Sequence, residues 1–182
     1  MKELITCKIG DVCHTNTDSY TNKDNWDYVN YLDTGNITEN VIDSIQHIDL
    51  AKEKLPSRAK RKVKMNSIIY STVRPNQRHY GIVKEQPDNF LVSTGFAVID
   101  VDLSKINADY LYYILTQDDK VDLLHTIAEQ SVSAYPSIKA SDIEDLEITI
   151  PDLHTQEQIV SILSSIDAKI KNNTKVNNNL AA

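Results

Sequence analysis

Glycine is scarce in this chain of 182 residues, which contains only four, at positions 10, 35, 81 and 95. Dinucleotide-binding fingerprints and phosphate-binding P-loops both require closely spaced glycines where a helix begins. Neither arrangement is present, so we expect no nucleotide-dependent chemistry in this chain and no cofactor.

Cysteine is rarer still, with Cys7 and Cys13 as the two examples. Two cysteines cannot form a four-cysteine metal site, and the five histidines include no pair at metal-ligand spacing. We therefore expect no metal site and two free thiols, which favours a reducing compartment.

Long hydrophobic runs are also missing. No apolar stretch approaches the roughly 20 residues that span a bilayer, and the first eight residues lack the apolar segment of a signal peptide. We expect a cytoplasmic protein without a membrane partner. Hydrophobic residues make up 41% of the chain and charged residues 25%, as in ordinary globular proteins. The length suits one domain, or one domain with an appendage.

Charge is unevenly distributed along the chain. The net charge of −7 argues against indiscriminate binding to nucleic acids. Between Lys52 and Lys84, however, ten lysines and arginines accompany one acid, Glu53, so this segment carries +9 and the remainder −16. Such a basic segment indicates a local polyanion site. A solvated surface helix followed by a loop would explain the charge equally well.

A polar loop lies within the second half of this segment. Residues 67–73 are rich in β-branched and aromatic residues and predict a strand. Residues 74–81, with Pro75 near one end and Gly81 at the other, predict a loop between two strands. Arginine, asparagine and glutamine, which this loop contains, read guanine and adenine edges through paired hydrogen bonds. A base-reading loop needs this composition, although a polar turn without a ligand has it too.

Hydrophobic periodicity divides the chain into two parts. Helices are predicted at 107–116 and 120–130, where apolar residues recur every three or four positions. Further strands are predicted at 82–83, 90–92, 96–101 and 146–150. We predict an α+β fold: a mixed globular domain over residues 1–152, followed by a long helix over residues 153–182.

The predicted C-terminal helix carries a one-sided apolar seam. A capping box at Thr155–Gln158 is expected to begin it. The residues expected to pair with a partner helix are Ile159, Ile162, Leu163, Ile166 and Ile170. Five asparagines between positions 172 and 179 are poor helix formers, so the helix needs a packing partner. The alternative is a terminal helix that folds back on its own domain.

Five segments resemble, in the same order, those of a type I restriction–modification specificity (S) subunit. They are residues 4–12 (LITCKIGDV), 28–37 (YVNYLDTGNI), 66–75 (NSIIYSTVRP), 110–115 (YLYYIL) and 148–160 (ITIPDLHTQEQIV). The last is the most specific, because a strand, a proline, Glu-Gln-Ile and a long helix form a junction typical of these subunits. The departure is mild: the family often has a second proline where Asp152 stands.

The resemblance implies a non-catalytic subunit that selects the DNA sequence for a DNA adenine methylase subunit and a restriction subunit. In this family each target-recognition domain reads one half of a split site on double-stranded DNA, and long helices set the gap. This chain corresponds to one such domain and one helix, so we expect either a half-subunit that pairs with itself or a fragment of a longer chain. A self-paired chain would read an inverted repeat.

The residues expected to contact DNA form three groups. Those predicted to bind phosphates are Lys60, Arg61, Lys62 and Lys64. Those predicted to approach bases or phosphates are Arg74, Asn76, Gln77, Arg78 and His79. A second polar loop at 130–137 adds Ser133 and Tyr135, although Tyr135 could instead pack on Pro136.

Two other functions are open to the sequence. The chain could be a protein-interaction module, or an exchangeable piece of a longer S subunit, without DNA binding of its own. Asp33-Thr34-Gly35 also spells the motif of aspartic proteases, which pair two carboxylates over a water molecule. That pattern needs a later apolar pair followed by glycine, and no glycine occurs after Gly95. We therefore interpret the motif as a tight turn.

Overall fold

The computed structural model describes residues 4–131 and 135–180, apart from the side chains of Asn22, Asn178 and Leu180. The strands are β1 Ile5–Lys8, β2 Cys13–Thr15, β3 Tyr28–Leu32, β4 Ile37–Thr38, β5 Val41–Ile42, β6 Gln46–Asp49, β7 Ala59–Lys62, β8 Ile68–Ser71, β9 Tyr80–Ile82, β10 Phe90–Ser93, β11 Phe96–Val101 and β12 Glu147–Ile150. The α-helices are α1 Ala108–Leu115, α2 Asp118–Glu129, α3 Ala140–Glu144 and α4 Leu153–Leu180.

A four-stranded antiparallel sheet with the order β2-β11-β8-β9 forms the centre of the domain. Its strand β8 is buried on both faces: Ile68 and Tyr70 pack with the helices, whereas Ile69 points to a second sheet. Strands covered on both sides read as continuous apolar runs rather than as alternating patterns. This burial explains why residues 67–73 could be predicted as a strand.

The second sheet has the order β6-β3-β10-β7 and contains a parallel pair, β3 with β10. It packs on the central sheet through side chains such as Leu32 and Val92, which meet Phe96 and Val98. Strand β7 lies at the edge, paired only with β10 within this sheet. The basic segment therefore forms an edge strand at residues 59–62, and the surface-helix interpretation of its charge is wrong.

Helices α1 to α3 cover the other face of the central sheet. Their buried residues include Leu111 and Leu115 of α1 and Val121 and Leu124 of α2. The backbone N–H of Tyr110 donates to the Asn107 side chain at 3.1 Å, which caps the start of α1. The predicted α+β class and both predicted helices are thus confirmed, with the helix ends within two residues.

Helix α4 leaves the domain through a two-stranded ribbon of β1 and β12. It begins at Leu153, because the Asp152 carboxylate accepts hydrogen bonds from the backbone N–H and the hydroxyl of Thr155 at 3.0 and 2.9 Å. The cap is therefore Asp152, three residues before the predicted capping box. At 28 residues the helix is about 42 Å long.

Candidate nucleic-acid interface

The two polar loops that the sequence predicts as separate contact loops lie side by side. The first, residues 74–79, connects β8 to β9. The second is attached to it because the backbone N–H of Arg74 donates to the Pro136 carbonyl at 2.9 Å, and that of Ile138 donates to the Thr72 carbonyl at 2.8 Å. The two loops thus form one surface. Ser133 lies outside the described residues.

Arg74 and Tyr135 form the contact between the loops. The guanidinium carbon of Arg74 lies 5.6 Å from the centre of the Tyr135 ring, a cation–π distance. Both side chains are exposed, Tyr135 by 62%. Both groups therefore lie on the accessible part of the loop surface, where an arginine can reach a base edge.

The backbone of the first loop is strained at both ends of its short turn. Arg74 and Arg78 have positive φ angles of 48° and 56°, on either side of the 3₁₀ turn Pro75–Gln77. Such conformations cost about 1–3 kcal/mol each in residues other than glycine and persist only where surrounding contacts hold them. The turn leaves the side chains of Asn76 and Gln77 exposed at its tip.

Arg78 and His79, both predicted to approach DNA, have partners within the protein. The Arg78 guanidinium donates to Asp118 at 2.6 Å and lies 3.7 Å from Glu39, and this hydrogen bond to Asp118 raises its pKa. The Nδ1 atom of His79 donates to the Ile37 carbonyl at 2.6 Å. These two side chains tie the loop to α2 and β4, so in this geometry they position the surface. Whether they also contact DNA stays a prediction.

The basic side chains of β7 and the residues after it differ in their surroundings. Lys60 is exposed, whereas Lys62 lies 2.5 Å from Asp24 and 5.5 Å from the centre of the Trp26 ring. Arg61 is half-buried, its Nε has no hydrogen-bond partner among the described residues, and burial lowers its pKa. Lys60 is thus the most accessible of the three predicted phosphate contacts on the strand, whereas Arg61 is half-buried and Lys62 is paired within the protein. Their contacts with phosphate stay predictions.

Lys64 is exposed but lies far from the loops along the sheet. Its ammonium group is 3.5 Å from Asp100 and 3.4 Å from the Thr17 hydroxyl. The loops are attached near Gly95, at the start of β11, whereas Asp100 lies five residues further along that strand. Five residues of strand span roughly 16 Å. Contact of Lys64 with DNA would therefore require a footprint that extends along the sheet.

A cleft of about 350 Å³ lies at the base of the loop surface. The residues that line it are Thr34, Arg58, Val73, Arg74, Gln77 and Tyr135. The sequence predicts three of these side chains as DNA contacts but does not single out Arg58. No local motif distinguishes Arg58 from the other basic residues of its segment, so only the folded position could identify it.

The Asp33-Thr34-Gly35 motif forms a turn at the edge of this cleft. The Asp33 carboxylate accepts the backbone N–H of Thr34 at 2.8 Å, and the N–H of Asn36 donates to the Asp33 carbonyl at 3.1 Å. Although burial acts to raise the pKa of Asp33, hydrogen bonds from Thr34, Ser93 and Tyr31 lower it overall. The motif therefore has the geometry of a tight turn, which is the preferred interpretation from the sequence.

Helix α4 is held to the domain by a glutamine that the sequence does not predict. Gln156 is fully buried; it accepts the backbone N–H of Asn107 at 2.8 Å and donates to the Pro151 carbonyl at 2.9 Å. Further along, the Tyr113 hydroxyl donates to Asp167 at 2.6 Å. Gln156 is a polar residue at a helix position where the other residues facing the domain are apolar. This irregularity in the sequence could have identified it.

The predicted pairing residues of α4 divide into two groups. Ile159 and Leu163 are partly covered by the domain. Ile162, Ile166 and Ile170, each four residues from the next, are exposed by 62%, 47% and 58%. From residue 164 onward every described side chain of the helix is exposed. Ile170 also lines a cleft with Val41 and Tyr112 of the domain. The exposed apolar stripe that faces away from the domain is therefore limited to Ile162 and Ile166.

Residues 4–131 and 135–180 contain neither a metal-binding cluster nor a membrane-spanning helix. No group of three or more His, Cys, Asp or Glu side chains there is arranged to hold a metal ion. None of the helices in those ranges has the length and apolar character that crossing a bilayer requires.

Comparison with known proteins defines the class of this chain. Residues 1–182 match the family described as the type I restriction modification DNA specificity domain, and the chain belongs to that family. Membership in a family of specificity domains confirms both the resemblance in the sequence and the prediction of a non-catalytic chain.

One relative supports the assignment, and two solved structures share the fold. The HindI specificity subunit of Haemophilus influenzae is 31% identical over 151 residues, which cover 82% of this chain and 32% of that protein. The HsdS subunit of Thermoanaerobacter tengcongensis has a TM-score of 0.79 at 22% identity, over 95% of this chain and 44% of that one. The S subunit of M. genitalium has a TM-score of 0.57 at 14% identity, over 94% and 41%. The chain thus spans about a third to less than half the length of these relatives.

Proposed function

We propose that this chain reads one half of a bipartite site on double-stranded DNA, on behalf of methylase and restriction subunits of a type I restriction–modification complex. The observation that carries the proposal is the single surface formed by the loops at 74–79 and 135–137, where Arg74, Gln77 and Tyr135 are exposed together. The relationship to the HindI specificity subunit supports the same role.

We propose that residues 1–152 act as the recognition domain and residues 153–182 as the spacer, which α4 forms over Leu153–Leu180. The exposed pair Ile162 and Ile166 supports pairing with a second helix, because apolar residues at this spacing are stabilised when a partner covers them. We propose that the partner helix belongs to a second copy of this chain. Two-fold pairing would place two recognition domains on an inverted repeat.

Salt-dependent binding to duplex DNA tests the proposal against a pure protein-interaction module. The chain, in complex with a methylase subunit, should bind with an affinity that falls steeply as salt rises, because phosphate contacts release counterions. Lys60→Gln should weaken binding to all sequences alike and reduce the salt slope by about 1.

Lys105→Gln is the matched control for this experiment. Lys105 is an exposed lysine outside the basic segment and contacts the Asp11 carbonyl at 2.9 Å. Its removal should leave the salt slope unchanged. A complex that assembles but shows no salt-sensitive binding would contradict DNA recognition and favour the interaction module.

A further inference from the structure

Arg58 reaches the loop cleft from a different part of the fold than the predicted contacts do. It stands immediately before β7, in the second sheet, whereas Arg74 and Gln77 belong to the β8–β9 loop of the central sheet. The backbone holds it in place, because the N–H of Thr94 donates to the Arg58 carbonyl at 2.8 Å. Its side chain lines the cleft together with Tyr135.

Gly95 leaves the space that the Arg58 side chain occupies. A Cβ atom at position 95 would lie 2.4 Å from the Arg58 Nη2 atom and 2.9 Å from the Thr34 Cγ2 atom. The φ angle of Gly95 is not positive, so backbone conformation does not explain the glycine. The Gly95 carbonyl also accepts both the backbone N–H and the hydroxyl of Thr72, at 2.8 and 2.9 Å. Because that backbone is fixed, a side chain at position 95 would displace the guanidinium.

The guanidinium is available to a ligand on the cleft side. Arg58 is exposed, and across residues 4–131 and 135–180 no carboxylate lies within 4.0 Å of its nitrogen atoms. Asp33 is close enough for the charge of Arg58 to act on it. The arginine is therefore oriented at the cleft without a direct ion pair.

From this arrangement we infer that Arg58 is a specificity-determining residue that reads a guanine at the base of the loop surface, and that Gly95 is required to admit it. An arginine binds the O6 and N7 atoms of guanine with two hydrogen bonds, the commonest specific contact in the major groove. The Gln77 amide in the same cleft suits a neighbouring adenine. This inference rests on the proposed function, and it assigns Arg58 to a guanine and Gln77 to an adenine of the recognised sequence.

Selection from a randomised duplex library tests the inference, with the whole chain in complex with its methylase subunit. The wild type should select a motif that contains a guanine in each half-site. Arg58→Lys keeps the charge but loses the paired geometry, so discrimination at one guanine should fall by roughly 5- to 150-fold while other positions are retained. Gly95→Ala should reduce discrimination at the same guanine, because the new side chain displaces the Arg58 guanidinium.

Two controls separate base reading from other roles. Lys60→Gln, close by on β7, should lower affinity without changing the motif. In an Arg58→Ala background Gly95→Ala should have no further effect on selection, because the displaced group is already absent. Thermal unfolding of each variant shows whether the fold is retained, and Arg58→Lys tests the inference even where Gly95→Ala does not fold.

Three outcomes would overturn the inference. A wild type that selects no motif removes the proposed function, and the inference falls with it. A wild-type motif that Arg58→Lys leaves intact at every position removes the inference alone. In Arg58→Ala, a uniform loss of affinity with a smaller salt slope and an unchanged motif would make Arg58 a phosphate ligand and would also overturn the inference.

Discussion

Replacing Gln156 with leucine should destabilise the protein measurably. The side chain is fully buried, so leucine would leave the Asn107 N–H and the Pro151 carbonyl without their partner. Each buried polar group that loses its partner costs about 1–3 kcal/mol. Burial of the leucine returns about 1.5–3 kcal/mol, so the net loss should be about 1–3 kcal/mol. That is a large share of the 5–15 kcal/mol typical of a domain.

Urea unfolding followed by circular dichroism measures this loss as a lower midpoint at an unchanged slope. Gln158→Leu is the matched control: Gln158 lies on the same helix, is exposed and contacts only His154, at 3.2 Å, among the hydrogen bonds described. That variant should stay within about 0.5 kcal/mol of the wild type. A midpoint for Gln156→Leu equal to that of the control would refute the role assigned to this junction.

Three further predictions follow from the described contacts. Replacing Ile162 and Ile166 together with aspartate should abolish self-association in light scattering, because four charges would enter the paired stripe of a dimer. Burial raises the pKa of the Cys13 thiol to about 12, so at pH 8 only about 1 in 10⁴ is thiolate and its alkylation should require unfolding. The hydrogen bond from Lys62 lowers the pKa of Asp24, so this pair stabilises the fold above the ordinary aspartate pKa of about 4 and is lost as pH falls through the lowered value. Asp24→Asn should therefore reduce stability at pH 7 and flatten its decrease toward pH 3.

Each of these has its own control. Ser161→Asp adds a charge to an exposed position of α4 away from the stripe and should leave association unchanged; a dimer that persists in the isoleucine variant would sink the pairing proposal. Cys7 is half-exposed and should be alkylated first; equal rates for the two thiols would contradict the burial argument. A pH profile of Asp24→Asn that parallels the wild type would show that the Asp24 pair does not contribute.

Local pattern was sufficient for the elements whose residues repeat regularly. Helices α1 and α2 have apolar residues every three or four positions, and β8 is a short apolar run, so each could be predicted alone. The strand β7 could not, because its three consecutive basic residues resemble a charged surface helix. Its identity as a strand depends on pairing with β10, about 30 residues later, and no local preference encodes that pairing.

In the candidate site, too, local composition locates some residues, whereas others depend on tertiary contacts. The loop containing Arg74 and Gln77 could be located from composition, but its contact with Tyr135 depends on how residues far apart in sequence meet. Arg78 has suitable chemistry for DNA, and only the fold shows that Asp118 binds it. Arg58 lacked any local signal, since its significance arises from the cleft and from Gly95.

The most direct test of the account is a map of methylated adenines in a host that expresses this chain with a cognate methylase subunit. The account predicts a new split motif whose two halves are inverted repeats, with a gap that reports the spacing of the paired helices. An asymmetric split motif would show that a different recognition domain supplies the second half, against self-pairing. A soluble complex that produces no new methylation would contradict the central claim that this chain selects a DNA sequence.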